Sequence, residues 1–316
     1  MKQPDWKLSK VQPVFHRAKA EAKYNLLKQW YMVLPIFGGT VLISTLIQAF
    51  AIIALSIFMV IVFGDESFDA LLSGDTELLL MLFLCAVPIV ISVLYCLLAE
   101  RRSLRSMGFT ARCCIRDYLV GIAVALAMMG GAVGLAWLGG GLEFTGFTFS
   151  GNAGMLLLFV IGWMIQGLSE EVVYRSHLMI SLGMGTNRWV AIGISAVIFA
   201  AAHLGNDGIT LFSVVNLTLY GIVAALYYLR TDSVWGIAAM HSFWNCAQGN
   251  LFGQKVSGIV LEANLFTFTQ KEGYDWLHGG SFGPEGGAAV TLMLLIGLAV
   301  LLLLPQRESS SPAVQT

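Results

Sequence analysis

Along most of the chain, apolar residues run on for about 20 positions at a time, the length a helix needs to cross a bilayer. Such runs lie at roughly 31–63, 77–99, 117–139, 153–182, 189–204, 210–229, 233–252 and 286–305, the fifth being short. The pattern predicts about eight transmembrane helices and an all-α, polytopic membrane protein with its active site inside the helix bundle. The first run begins near Tyr31 and is longer than the apolar core of a signal peptide, so it reads as a retained span.

Composition agrees with this. Of 316 residues, 57% are hydrophobic and 12% charged, against about 25% charged in soluble domains. The expected organisation is an N-terminal segment over 1–30, a membrane domain over 31–305 with its core at about 153–252, and a disordered Ser-rich tail over 306–316. Lys2, Lys7, Lys10, Arg17, Lys19, Lys23 and Lys28 precede the first span, and Arg101, Arg102, Arg105, Arg112 and Arg116 lie between the second and third. Arg188, Arg230 and Arg307 fall at that same end, whereas the opposite end carries Lys255, Lys271 and the acidic 64–76 loop. The positive-inside rule then puts both termini in the cytoplasm, and a bacterial inner membrane is the expected location. The five cysteines form no disulfide or zinc-ribbon pattern. The expected partners are the lipid bilayer and a membrane-associated protein or peptide, with no nucleic acid.

Against this background three polar clusters stand out. Glu170-Glu171-Val-Val-Tyr174-Arg175 lies on the fourth span, Phe199-Ala-Ala-Ala-His203 on the fifth, and His241-Ser-Phe-Trp-Asn245 on the seventh. A charge near the bilayer centre costs about 2.5–3.5 kcal/mol on insertion scales, so adjacent glutamates there need a compensating role. Glu171 and Arg175 are spaced i,i+4 and are expected to form a structural ion pair. Glu170 lies about 100° round the helix, with only Tyr174 at that spacing. Counted at about 1.5 Å per residue, Glu170, His203, His241 and Asn245 share one depth band, from mid-bilayer toward the cytoplasmic half. His177 is expected at the interface, and Asn216 to make a helix–helix hydrogen bond. Gly130 and Gly134 form a small-xxx-small pattern, as consistent with idle small residues as with close packing. The 253–285 loop reads as a lid, an interfacial segment or a merely mobile stretch.

A free carboxylate, two histidines and an asparagine amide permit hydrolysis by direct attack of water. A carboxylate takes the proton, a histidine holds the water or passes the proton on, and amide and imidazole N–H groups meet the developing oxyanion. Two histidines and a carboxylate also make a zinc ligand set, so Glu170, His203 and His241 stand as an optional metal site, with zinc the ion. Two other readings remain open. One is a proton- or ion-coupled transporter using the same groups as a relay, and the other a non-catalytic immunity or scaffold protein.

Glu-Glu-x-x-x-Arg, Phe-x-x-x-His and His-x-x-x-Asn, in that order on membrane helices, resemble the CPBP (Abi) family of intramembrane proteases. That family is similar to the type II CAAX prenyl endopeptidase and to bacteriocin-processing proteins. The resemblance implies an intramembrane endopeptidase, glutamate-dependent or metal-dependent, with CAAX-like processing as one reading. It implies that Glu170 is the general base, His203 its partner on the water, His241 and Asn245 the oxyanion hole, and Glu171–Arg175 the architectural pair.

Overall fold

The computed structural model describes residues 13–22, 30–64, 73–147 and 153–303. The 306–316 tail, most of the 1–30 segment and most of the acidic loop lie outside the described residues. Helix α1 is Pro13–Glu21, and α2, Val33–Phe63, follows a 3-10 turn. Next come α3 (Gly74–Leu84), α4 (Ala86–Leu98) and α5 (Cys114–Leu138). Helix α6 (Ala153–Glu171) runs without interruption through a π-helical stretch, Val172–Met179, into α7 (Ile180–Gly185). Then follow α8 (Arg188–Ala201), α9 (Leu211–Thr231) and α10 (Val234–Cys246), the last widening into a π turn at Ala247–Leu251. A short helix α11 (Asp275–His278) precedes the last long one, α12 (Ala288–Leu303). Five helical stretches are long and apolar enough to cross a membrane, and α8 and α12 are shorter apolar helices.

Helix α2 shows why the solvent must be lipid. Leu42, Leu46, Phe50, Ile53, Ile57 and Ile61 recur at helical spacing and are each more than half exposed. Such a stripe would be untenable in water but is the ordinary outer face of a bundle in a bilayer. The second predicted span is two helices, broken at Cys85. The cause is Pro88, whose missing N–H leaves the Leu84 carbonyl without its helical donor; the Gln48 amide of α2 supplies that hydrogen bond at 3.1 Å.

Helix α10 is the centre of the molecule, clamped between α5 and α6. The clamp depends on two glycines. A Cβ on Gly121 of α5 would overlap the Gly236 carbonyl, and one on Gly167 of α6 would come 2.6 Å from the Ser242 backbone nitrogen. Gly134 has open space where a side chain would go, so the Gly130/Gly134 pattern is idle there. Gly167→Ala is expected to force α6 and α10 apart, at a cost of about 1–3 kcal/mol. A lowered thermal midpoint in detergent, together with lost activity, checks this.

A two-stranded sheet was not anticipated from the sequence. Strand β1, Leu142–Phe147, pairs antiparallel with β2, Phe266–Gln270, with a bulge between Phe144 and Gly146. It fastens the long loop after α10 to the end of α5. At the basic end, Arg17 of α1 makes a two-pronged pair with Asp232 at 2.5 and 2.9 Å. Buried Arg102 pairs with Glu100, whose other oxygen accepts from Ser181 at 2.6 Å. Beside them His177 is fully buried, 4.7 Å from the Tyr95 ring and 5.5 Å from Phe37. His177, expected at the interface, is packed inside the bundle, where α2 and α4 cover the π stretch that carries it.

Candidate active site

The three clusters converge on a cavity of about 230 Å³, walled by α3, α6, α8, α9, α10 and the loop around 256–259. Glu170, His203, His241 and Asn245 all line it. Its remaining wall is largely apolar, with Leu82, Trp163, Leu217, Tyr220, Trp244 and Leu294.

The fully buried Glu171 and Arg175 pair at 3.2 Å, Oε2 to Nε, as their spacing predicts. Arg175 also lies over the Phe199 ring, 4.6 Å from its centre, a cation–π contact that offsets part of the guanidinium's desolvation. Arg175 stands in the π stretch, where a widened turn frees backbone carbonyls. Ser195 of α8 donates to one of them, Tyr174 O, at 2.8 Å. Wide turns of this kind are frequent at functional sites.

Glu171 does more than hold Arg175. Its Oε1 accepts from His241 Nδ1 at 2.8 Å. The other ring nitrogen, Nε2, stands 3.6 Å from Glu170 Oε2. His241 thus lies between the two glutamates. Glu170 has a partner on its own helix after all: Gln166, one turn earlier, donates to Oε1 at 2.7 Å. Asn245 donates to Gln166 Oε1 at 3.0 Å, completing a chain from α10 through Gln166 to Glu170. Glu170 Oε2 makes no hydrogen bond among the described residues.

His203 lies just past the end of α8. Its Nδ1 is 2.9 Å from the Phe199 carbonyl, which can only accept, so Nδ1 carries the hydrogen and Nε2 the lone pair in the neutral ring. Phe199 packs on His203, Tyr174, Tyr220 and His241, so this aromatic residue of the second motif spaces the three clusters. The optional zinc set of Glu170, His203 and His241 is not formed. Among the described residues, no three His, Cys, Asp or Glu side chains converge so as to hold an ion.

The position of the site differs from expectation. Counted from the helix ends nearest the long loop, Leu78 and Cys85 of the lining lie about 6 and 16 Å in, and Asn216 and Tyr220 about 8 and 14 Å. From the end of the α10 π turn, Asn245 and His241 lie about 9 and 15 Å in. Val256, Ser257, Ile259 and Glu285 of the loop region complete the wall. The cavity therefore runs from mid-helix toward the end opposite the arginines. The depth count was sound, but about 20 Å from one face of a 30 Å core already lies past the middle.

Sequence reading missed the loop's share of the site. Buried Glu285 accepts from Gln248 at 2.5 Å and from Ser257 Oγ at 3.0 Å. Asn206 donates to Ser257 O at 3.0 Å. Asn216 donates to the Glu285 and Gly287 carbonyls and accepts from Thr291 of α12. The last contact is the helix–helix bond expected; the first two bind α9 to the loop. Of the 253–285 segment, Val256, Ser257, Ile259 and Glu285 roof the cavity. Tyr220 also escaped notice, and its buried hydroxyl has no partner among the described residues.

Residues 152–247 match the family model described as Type II CAAX prenyl endopeptidase Rce1-like. The resemblance read from the three motifs is thereby borne out. The matched stretch runs from the start of α6 to the end of α10 and holds every residue of the three clusters. No curated protein matches the chain. An Rce1-like match on a bundle of apolar helices supports an integral membrane protease of the CAAX type in general.

Proposed function

We propose that the protein is an intramembrane endopeptidase that hydrolyses a peptide bond of a membrane-associated polypeptide with water activated by Glu170 and His203. The single observation that carries this reading is the state of Glu170. Glu170 and His203 line one cavity; one oxygen of the carboxylate is fixed by Gln166, and the other, Oε2, is buried with no hydrogen bond among the described residues. An oriented carboxylate with one oxygen left unpaired is what a general base requires.

The other residues follow from their contacts. His203 offers its Nε2 lone pair to a hydrogen of the attacking water. Asn245 spends one N–H on Gln166 and has a second for the carbonyl oxygen of the scissile bond, whose negative charge grows during attack. His241, held by Glu171 through Nδ1, turns its Nε2 edge toward Glu170 Oε2, 3.6 Å away, and is assigned with Asn245 to the oxyanion. Glu171 and Arg175 position His241 and are not expected to touch substrate.

The test compares protein N-termini in membranes expressing the wild type and His203→Ala. A set of termini present only with the wild type is expected, and it names the substrate. Loss of the water-holding imidazole should lower cleavage by about 10²–10⁴-fold while leaving the protein folded. Wild-type cleavage by His203→Ala would remove the role assigned here.

A further inference from the structure

Resting on the reading of this cavity as a protease site, we propose that it receives its substrate from the extracytoplasmic side of the membrane. The substrate class is an exported or outer-leaflet polypeptide with cationic residues beside the cleaved bond. A prenylated C-terminus, which is anchored at the cytoplasmic leaflet, would face the wrong side.

The geometry supplies the first half of the argument. The cavity occupies the half of the bundle that meets the long loop, and its roof comes from that loop. Met81 of α3 and Ile259 of the loop line the cavity and are 48% and 43% exposed, which places its rim on the half of the bundle that meets the loop. Asn206, whose neighbour Asp207 is exposed, lines the same edge.

Charge supplies the second half. At the far end, among the described residues, lie Arg17 and Lys19 of α1, Arg101, Arg102, Arg105 and Arg112 between α4 and α5, and Arg116 in the first turn of α5. Arg188 and Arg230 begin α8 and close α9 at that same end. Only Lys255 and Lys271 lie at the cavity end, among Asp75, Glu143, Asp207, Glu262, Glu272 and Asp275. Basic loops stay in the cytoplasm, so the site end faces out. Helices α1 and α12 place residues 13 and 303 at the basic end, as an even number of passages requires. The acidic surplus at that end of the molecule attracts cations and concentrates a basic segment on the face from which the cavity is entered.

The experiment has two arms. Cells expressing Glu272→Cys, an exposed position outside the cavity, are treated intact with a membrane-impermeant maleimide, and modified cysteines are read by mass spectrometry. Modification is expected at position 272, and at the exposed Cys113 of the basic end only after permeabilisation; the reverse pattern overturns the proposal. In the second arm, right-side-out and inside-out vesicles receive a quenched fluorescent peptide with one apolar segment, flanked by either two lysines or two glutamates. Cleavage is expected in right-side-out vesicles, with the lysine peptide faster by about tenfold or more. Cleavage confined to inside-out vesicles, or a preference for the glutamate peptide, contradicts it. If neither peptide is cut in vesicles or by solubilised protein, the protease reading fails, and the maleimide pattern still decides which side the cavity faces.

Discussion

Glu170→Gln is expected to be folded, membrane-inserted and inactive. The replacement keeps the side chain's shape and its oxygen for the Gln166 amide, so the chain from Asn245 through Gln166 survives. What disappears is the capacity of the unpaired oxygen, Oε2, to accept a proton. General-base contributions run to about 10²–10⁴-fold, and the neighbouring carboxylates are engaged elsewhere: Glu171 by Arg175 and His241, and Glu285 of the cavity wall by Gln248 and Ser257. The expected readout is loss of turnover by at least about 100-fold, with an unchanged elution profile and thermal midpoint. Glu170→Asp should recover little, since shortening the side chain withdraws the oxygen by about one methylene from the point that Gln166 fixes. A fully active Glu170→Gln variant would sink the mechanism.

Arg175→Leu should fail earlier, at folding. Arg175 is fully buried, and its removal leaves Glu171 as a buried carboxylate held only by His241. Breaking one side of a buried ion pair costs about 3–5 kcal/mol, a large part of a typical domain's total stability of about 5–15 kcal/mol. The loss of the contact with the Phe199 ring adds to it. The expected result is a sharp fall in monodisperse protein recovered from membranes. Replacing both partners, Glu171→Gln with Arg175→Leu, removes the orphaned charge and should restore part of the yield without restoring activity, because His241 then loses its carboxylate. If the single variant proves as stable as the wild type, the architectural role is wrong. Arg175→Lys is not a neutral control, since an ammonium lacks the planar face that lies on Phe199.

Much of this was legible in the residues alone. Apolar run lengths pointed to the all-α bundle, five of whose helical stretches are long and apolar enough to cross a membrane, and i,i+4 spacing to the Glu171–Arg175 pair, because both are local properties of a helix. The share of His241 was not legible. Nothing in its spacing says that it reaches two glutamates seventy residues earlier, since that depends on how Gly167 lets α10 approach α6. Gln166 was legible but overlooked, standing one turn before Glu170 on the same face. Glu285 and Ser257 were out of reach, because a long loop's path is set by tertiary hydrogen bonds and by strand pairing, without a periodic pattern. Pro88 and Cys85 are intermediate: the proline announces a break, but only the structure shows Gln48 answering it.

The π stretch at Val172–Met179 bears on how this helix tolerates changes of length. A π turn accommodates an additional residue within an α-helix, so one deletion there would let the backbone relax to ordinary α geometry. Everything beyond the deletion would keep its face relative to Glu170, because the wide turn is what absorbs the extra residue. What would be lost is the carbonyl that the wide turn frees: Tyr174 O would return to the helix ladder and Ser195 of α8 would lose its acceptor. An extra residue inserted into the α-helical part before Glu170, where no wide turn takes it up, would instead swing Trp163 and its neighbours by about 100° from the glutamates. The wide turn thus acts as a buffer for the length of this helix.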